Sequence, residues 1–144
     1  MRYLVLLGRI CFAAIFILAA PGHFTAPEIA YAAHAGVPFA SLAVPAAGLM
    51  ALAGGLSVAL GYHIKIGAWV LVLFLVPVTL AMHNFWAVTD PMMAQLQMAM
   101  FMKNVGLMGG ALLLSYFGAG PLSLDARRRQ PARQFASIRH ARAA

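Results

Sequence analysis

The chain has 144 residues, of which 63% are hydrophobic and 9% are charged, and its formal net charge is +7. A soluble domain is ~45–50% apolar and ~25% charged, so this composition excludes an ordinary soluble globule. It also excludes a disordered chain, which requires low hydrophobicity. The single cysteine, Cys11, excludes an intramolecular disulfide and a cysteine-rich metal site. With only three acidic residues, the chain does not suit a self-contained hydrolase.

Four apolar stretches are long enough to cross a membrane. A bilayer core of ~30 Å requires ~20 residues of helix, and such stretches cover about residues 3–20, 41–60, 66–82 and 96–117. The sequence therefore predicts an all-α integral membrane four-helix bundle. We expect residues 1–120 to form this domain and residues 121–144 to form a basic tail. Arg9 interrupts the first apolar run, which favours a retained helix over a cleaved signal peptide.

The positions of lysine and arginine predict the orientation of the bundle. These residues occur at the N-terminus, in the second connection and in the tail, whereas the first and third connections carry Glu28 and Asp90. Because basic loops stay in the cytoplasm, we expect both termini to be cytoplasmic. The arginines of the tail are Arg127, Arg128, Arg129, Arg133, Arg139 and Arg142. We expect this tail to bind anionic lipid or a cytoplasmic partner, and not nucleic acid.

Two cations, Arg9 and Lys103, lie inside predicted spans, where a charge is costly and indicates function by default. Each side chain can instead extend to the headgroups. Topology brings the outer ends of the spans together and predicts one polar cluster there. Its members are His23, His83, Asn84, Trp86, Lys103 and Asn104, and Gln95 and Gln97 enter nearby. This cluster suits a quinone headgroup, a small anion or a lipid phosphate, with Arg9 in a structural or second polar role. The alternative is an interfacial aromatic belt.

Small residues and methionines have simpler interpretations. Small residues recur at intervals of four on the second and fourth spans, at Ala47, Ala51, Gly55 and Ala59 and at Gly106 and Gly110. Such stripes allow close helix packing inside the bundle or between protomers, so we expect a homo- or hetero-oligomer. Thioethers suit Cu(I), but methionine is also a common apolar filler. We therefore predict no metal site.

Several short motifs follow one another in an order shared with a known family. They are Leu7-Gly8-Arg9-Ile10, Phe16-Ile17-Leu18, Gly22-His23-Phe24, Ala35-Gly36-Val37-Pro38, Gly54-Gly55, His83-Asn84-Phe85-Trp86, Lys103-Asn104, Gly109-Gly110 and Gly120-Pro121-Leu122-Ser123-Leu124-Asp125. Together they resemble the DoxX family, over about residues 4–125. The resemblance implies a four-helix bundle of the bacterial inner membrane that is linked to quinone-dependent oxidation.

The chain departs from the DoxX pattern at two positions. That family often has glutamate where this chain has Ala51, and often has lysine where it has His23. The missing glutamate removes the natural partner of Arg9 or Lys103, which favours an anionic ligand or an accessory role. The leading hypothesis is a quinone-associated redox component that acts with partner subunits, with no covalent cofactor and no assigned catalytic residue. The alternatives are a non-catalytic scaffold or accessory subunit and a small-molecule or anion carrier.

Overall fold

A computed structural model describes residues 2–128, and this part of the chain is helical. The helices are α1 (Arg2–Ala19), α2 (Ala26–His34), α3 (Ala40–Leu60), α4 (Ile64–Met82) and α5 (Pro91–Phe117). Short 3-10 turns, Ala20–Phe24 and Phe85–Ala87, extend α1 and α4. Four of the helices, all except α2, are long and apolar enough to cross a membrane. The predicted all-α membrane bundle is therefore confirmed, and its outer helix faces contact lipid.

Two features of the helices differ from the sequence prediction. The fourth span begins at Pro91 rather than at about residue 96, because the Asp90 carboxylate accepts a hydrogen bond from the Met93 N–H at 2.8 Å. An aspartate cap followed by proline is a typical helix start. The first connection contains α2, whose preceding residue is Thr25 and whose first turn contains Pro27 and Glu28.

The adjacent glycines Gly54 and Gly55 allow α3 to pack closely against two neighbours. A Cβ at Gly54 would lie 2.7 Å from Leu71 Cδ2 of α4, and a Cβ at Gly55 would lie 2.9 Å from Ile17 Cγ1 of α1. On α5, a Cβ at Gly110 would lie 2.8 Å from the Phe12 ring. A Cβ at any of these positions would require the facing side chain to shift. These small residues therefore act inside the bundle.

The bundle has two distinct ends. At the connector end, α1 and α4 finish, α5 begins, and α2 lies between α1 and α3 in the chain. At the tail end, α3 turns into α4 and residues 118–128 follow α5. The residues beyond 128, which include most of the predicted basic tail, lie outside the described part of the chain.

Residues 118–128 fold back on the tail end. The backbone N–H of Asp125 donates to the Gly61 carbonyl at 2.9 Å. The Asp125 carboxylate accepts hydrogen bonds from the backbone N–H groups of His63 and Ile64, at 2.9 and 3.1 Å. These N–H groups open α4 and have no partner within that helix, so a distant aspartate caps it. The segment after α5 is thus joined to the turn between α3 and α4.

Candidate ligand-binding site

A cavity of about 470 Å³ lies at the connector end, between α1, α2, α3, α4 and α5. Its walls are mostly apolar, and they include Phe16, Val44, Ala47, Met50, Phe74 and Leu107. This volume falls in the range of small-molecule sites, which combine apolar walls with a few placed polar groups. The structure thus provides a space for a ligand where the sequence predicted a polar cluster.

Four of the predicted site residues line this cavity: His23, His83, Lys103 and Asn104. His23 reaches it because Gly48 of α3 lets the end of α1 approach: a Cβ at Gly48 would lie 2.6 Å from His23 Cβ. His83 is placed by the end of α4, and the two α5 residues project from the middle of that helix. The structure therefore brings together side chains from three separate spans.

Two predicted residues, Asn84 and Trp86, do not line the cavity. Trp86 is 60% exposed and packs edge-on against Phe85 and Phe101, with ring centroids 5.1 and 5.9 Å apart. This aromatic cluster matches the interfacial belt that is typical of membrane proteins. Of the two sequence interpretations, the belt therefore fits Trp86 better.

Asn104 is the most informative polar residue of the cavity. It is 5% exposed and lines the cavity. The fully buried side-chain atoms without a hydrogen-bond partner among residues 2–128 belong to Arg9 and Thr79, so the Asn104 amide is not sealed off by protein. Because small-molecule sites combine apolar walls with a few polar groups, this amide is a suitable group to hydrogen-bond a ligand in the cavity.

A hydrogen-bonded chain connects three helices beside the cavity. Nδ1 of His83 donates to Oε1 of Gln97 at 2.8 Å, and Nε2 of Gln97 donates to the Tyr31 hydroxyl at 3.3 Å. Nδ1 of His23 donates to the Ala19 carbonyl at 3.2 Å. An amide oxygen only accepts, so Nδ1 carries a proton in each of these histidines.

Sequence reasoning missed Glu28 and Tyr31, which lie on α2 and also line the cavity. Both belong to the connection between the first and second spans, for which no helix was predicted. The signal was available, since Thr25 before Pro27 and Glu28 is the pattern of a helix start. Glu28 and Lys103 line the same cavity, yet they do not form an ion pair with each other.

Arg9 lies at the opposite, tail end of the bundle. It is 2% exposed, so its side chain is buried rather than extended to the surface. Its Nη2 donates to the Leu122 carbonyl, and the Asp125 carboxylate attracts its charge. Nε and Nη1 have no hydrogen-bond partner among the described residues. The structure therefore separates Arg9 from the other predicted site residues.

Fold and cavity together define a multi-pass membrane protein with a cavity at one end of its bundle. The sequence pattern of the SURF4 family matches residues 1–130. This match covers most of the chain, so the protein belongs to the SURF4 family. No curated protein and no solved structure matches it.

The SURF4 match shows that the DoxX assignment is wrong. The quinone-linked redox function, the oxidoreductase class and the bacterial inner membrane depended on that resemblance, and they are withdrawn with it. The physical reason is that the quoted motifs are short and mostly apolar. Glycine pairs such as Gly54-Gly55 serve helix packing, which any membrane bundle requires. A multi-pass membrane location is confirmed by the four spans.

Proposed function

We propose that this protein binds a single-chain amphiphilic molecule in the connector-end cavity. The observation that carries the proposal is the apolar cavity of about 470 Å³, whose lining contains the 5% exposed Asn104 together with Lys103 and His83. The apolar part of the ligand lies along α1, α3 and α4. Its polar part lies against Asn104, Lys103 and His83.

The cavity volume supports one chain and not two. If a methylene group occupies roughly the ~30 Å³ of a water molecule in the liquid, a cavity of about 470 Å³ accommodates about 16 non-hydrogen atoms. A phospholipid with two acyl chains is therefore too large.

Polar contacts must provide the selectivity of this site. Burial of a methylene group from water contributes about 0.8 kcal/mol, but lipid tails are as apolar as the cavity walls. A molecule that moves from the bilayer to the cavity thus gains little from its apolar part. A hydrogen bond to Asn104, which is 5% exposed, is worth more in this low-dielectric position than it is in water. Occupancy therefore depends on the headgroup.

Photo-crosslinking tests the proposed binding. The full-length protein is reconstituted in lipid nanodiscs with a single-chain amphiphile that carries a diazirine in its chain, and the labelled peptides are mapped. We expect label on α3 and α4 residues of the cavity. Ala47→Phe fills the cavity and reduces this labelling at least tenfold, whereas the matched control Ala53→Phe, on the exposed face of α3, leaves it unchanged. Equal labelling of both variants would contradict the proposal.

We also propose that both termini face the cytoplasm. The support is the distribution of charge: Lys65, Arg127 and Arg128 lie at the tail end, and Glu28 and Asp90 lie at the connector end. Labelling of single cysteines by an impermeant maleimide in sealed vesicles tests this, in a Cys11→Ala background. When the cytoplasmic face lies inside the vesicles, a cysteine at the connector end must be labelled and a cysteine at the tail end must be protected. Labelling at the tail end with protection at the connector end would overturn the orientation.

Self-association through α5 is a further proposal. Cβ atoms built at Gly106 and Gly109 meet no atom within 4 Å, so this face of α5 is open to close approach by another helix. We expect Gly106→Leu to lower the fraction of dimer measured by native mass spectrometry. A monomeric wild-type chain at every detergent ratio would contradict self-association.

A further inference from the structure

The residues that line the connector-end cavity differ in how deeply they are buried. The buried ones have hydrocarbon side chains, as Phe16 and Ala51 do, with one exception, the polar residue Asn104. Among the described residues that line the cavity, the two charged ones, Glu28 and Lys103, are exposed. The buried part of the wall is therefore uncharged, and it offers a ligand the hydrogen bonds of a single amide.

The exposed charges at the cavity do not require a counter-charge from a ligand. Glu28 belongs to α2, which lies outside the four candidate membrane spans, so its carboxylate stays solvated. Lys103 is on α5, and a lysine stem is long enough to carry its ammonium towards the headgroups. His23 and His83 are half-buried, and Nδ1 of each donates to an acceptor within the protein. Asn104 is therefore the buried polar group that a ligand meets.

An uncharged headgroup suits Asn104 better than a charged one. A charge that enters an apolar site is far more costly than a neutral polar group unless an opposite charge meets it. The described lining has no buried residue that could supply that opposite charge. The Asn104 amide has an NH2 group that donates and a carbonyl oxygen that accepts. A hydroxyl group forms hydrogen bonds with both, whereas an ether oxygen pairs with the NH2 group alone.

We infer that the cavity selects an uncharged single-chain amphiphile whose headgroup both donates and accepts hydrogen bonds, of which a long-chain alcohol is the simplest. The hydroxyl contacts the Asn104 amide, and the alkyl chain lies along apolar walls such as Phe16 and Ala51. An alcohol of about 16 non-hydrogen atoms matches the cavity volume of about 470 Å³. This inference rests on the proposed function, because it names the ligand class of the same site.

Competition among ligands of one size tests the headgroup. The full-length protein is in lipid nanodiscs, and the probe is an alcohol with a diazirine in its chain. The competitors are pentadecanol, its isomer methyl tetradecyl ether, the anion dodecylsulfonate and the cation dodecyltrimethylammonium, each with about 16 non-hydrogen atoms. We expect pentadecanol to displace the probe at a mole fraction in the lipid at least about fivefold below that of the ether. Against either ion, we expect a difference of at least about tenfold.

The variant Asn104→Leu assigns the preference to the amide. It removes the hydrogen-bonding groups and keeps a side chain of similar length, so we expect pentadecanol and the ether to displace the probe equally. The matched control is Gln95→Leu, which removes an amide from an exposed residue of α5 outside the cavity and retains the wild-type preference. A preference that survives in Asn104→Leu, or is lost in Gln95→Leu, would overturn the inference. The wild-type series tests the headgroup class without either variant.

The outcomes separate the inference from the proposed function. If the ether or either ion displaces the probe as well as pentadecanol does, the alcohol inference is overturned and the binding function stays in place. The same holds if diazirine analogues of the ions label the cavity and the alcohol probe does not. Absence of cavity labelling by all of these probes in the wild-type protein overturns both.

Discussion

Replacing Gly61 with alanine tests the packing of the tail end. Gly61 ends α3 with φ +62° and ψ +41°, a left-handed conformation that costs a residue with a Cβ roughly 1–2 kcal/mol. The added Cβ would also collide with Nη1 of the buried Arg9 and would lie 3.1 Å from Ala119 Cβ. Overpacking of this kind typically costs about 1–3 kcal/mol. The two effects together predict a loss of about 2–5 kcal/mol in the free energy of unfolding.

Gly36→Ala is the matched control for this substitution. Gly36 also has a positive φ, +83°, but a Cβ there meets no atom within 4 Å. Its alanine variant therefore has the backbone cost alone, and it should lose about 1–3 kcal/mol less stability than Gly61→Ala.

The measurement is reversible unfolding in mixed micelles with increasing denaturing detergent, followed by the helical circular dichroism signal. Equal losses for Gly61→Ala and Gly36→Ala would refute the close approach of Arg9 and Ala119 to this turn. A smaller loss in Gly61→Ala would refute it as well.

The two aspartate caps make further predictions in the same assay. Asp125→Ala removes the acceptor of two backbone N–H groups at the start of α4 and should cost about 2–3 kcal/mol; a loss below that of a surface substitution such as Lys65→Ala would contradict it. Asp90→Ala removes one such bond, from Met93, and should cost about 1 kcal/mol. If Asp90→Ala costs more than Asp125→Ala, the assignment of the stronger cap is wrong. Gln97→Leu breaks the link from His83 to Tyr31, and it should speed amide hydrogen exchange in α2 while exchange in α3 stays unchanged.

The fold was largely predictable because hydrophobic spans are local features of sequence. The predicted spans at about 41–60 and 66–82 lie within two residues of Ala40–Leu60 and Ile64–Met82. Helix α2 was missed because it is short and lies in a polar connection. The start of α5 was misplaced because the apolar pattern received more weight than the Asp90 cap and the proline that follows it.

For the candidate site, the sequence predicts only which end of the bundle each residue occupies. Alternation of spans places His23, His83 and Lys103 at the same end of the bundle, and the structure has them in one cavity. The role of Asp125 depends on contacts across more than 60 residues of chain, which no local pattern reveals. The family assignment failed for a related reason. Apolar and glycine-rich motifs are required for helix packing in any membrane bundle, so they do not distinguish one family or function from another.

The hydrogen bond between Arg9 and Leu122 has a consequence for how the protein is made. These residues are separated by 113 positions, so the first helix enters the membrane long before its carbonyl partner is synthesised. Until then the Arg9 guanidinium on α1 lacks the Leu122 carbonyl, and an unpartnered charge destabilises a helix in lipid. Asp125, which attracts the same cation, emerges three residues after Leu122. The surroundings of Arg9 are therefore complete only after residues 122–125 have left the ribosome, long after α1 has entered the membrane.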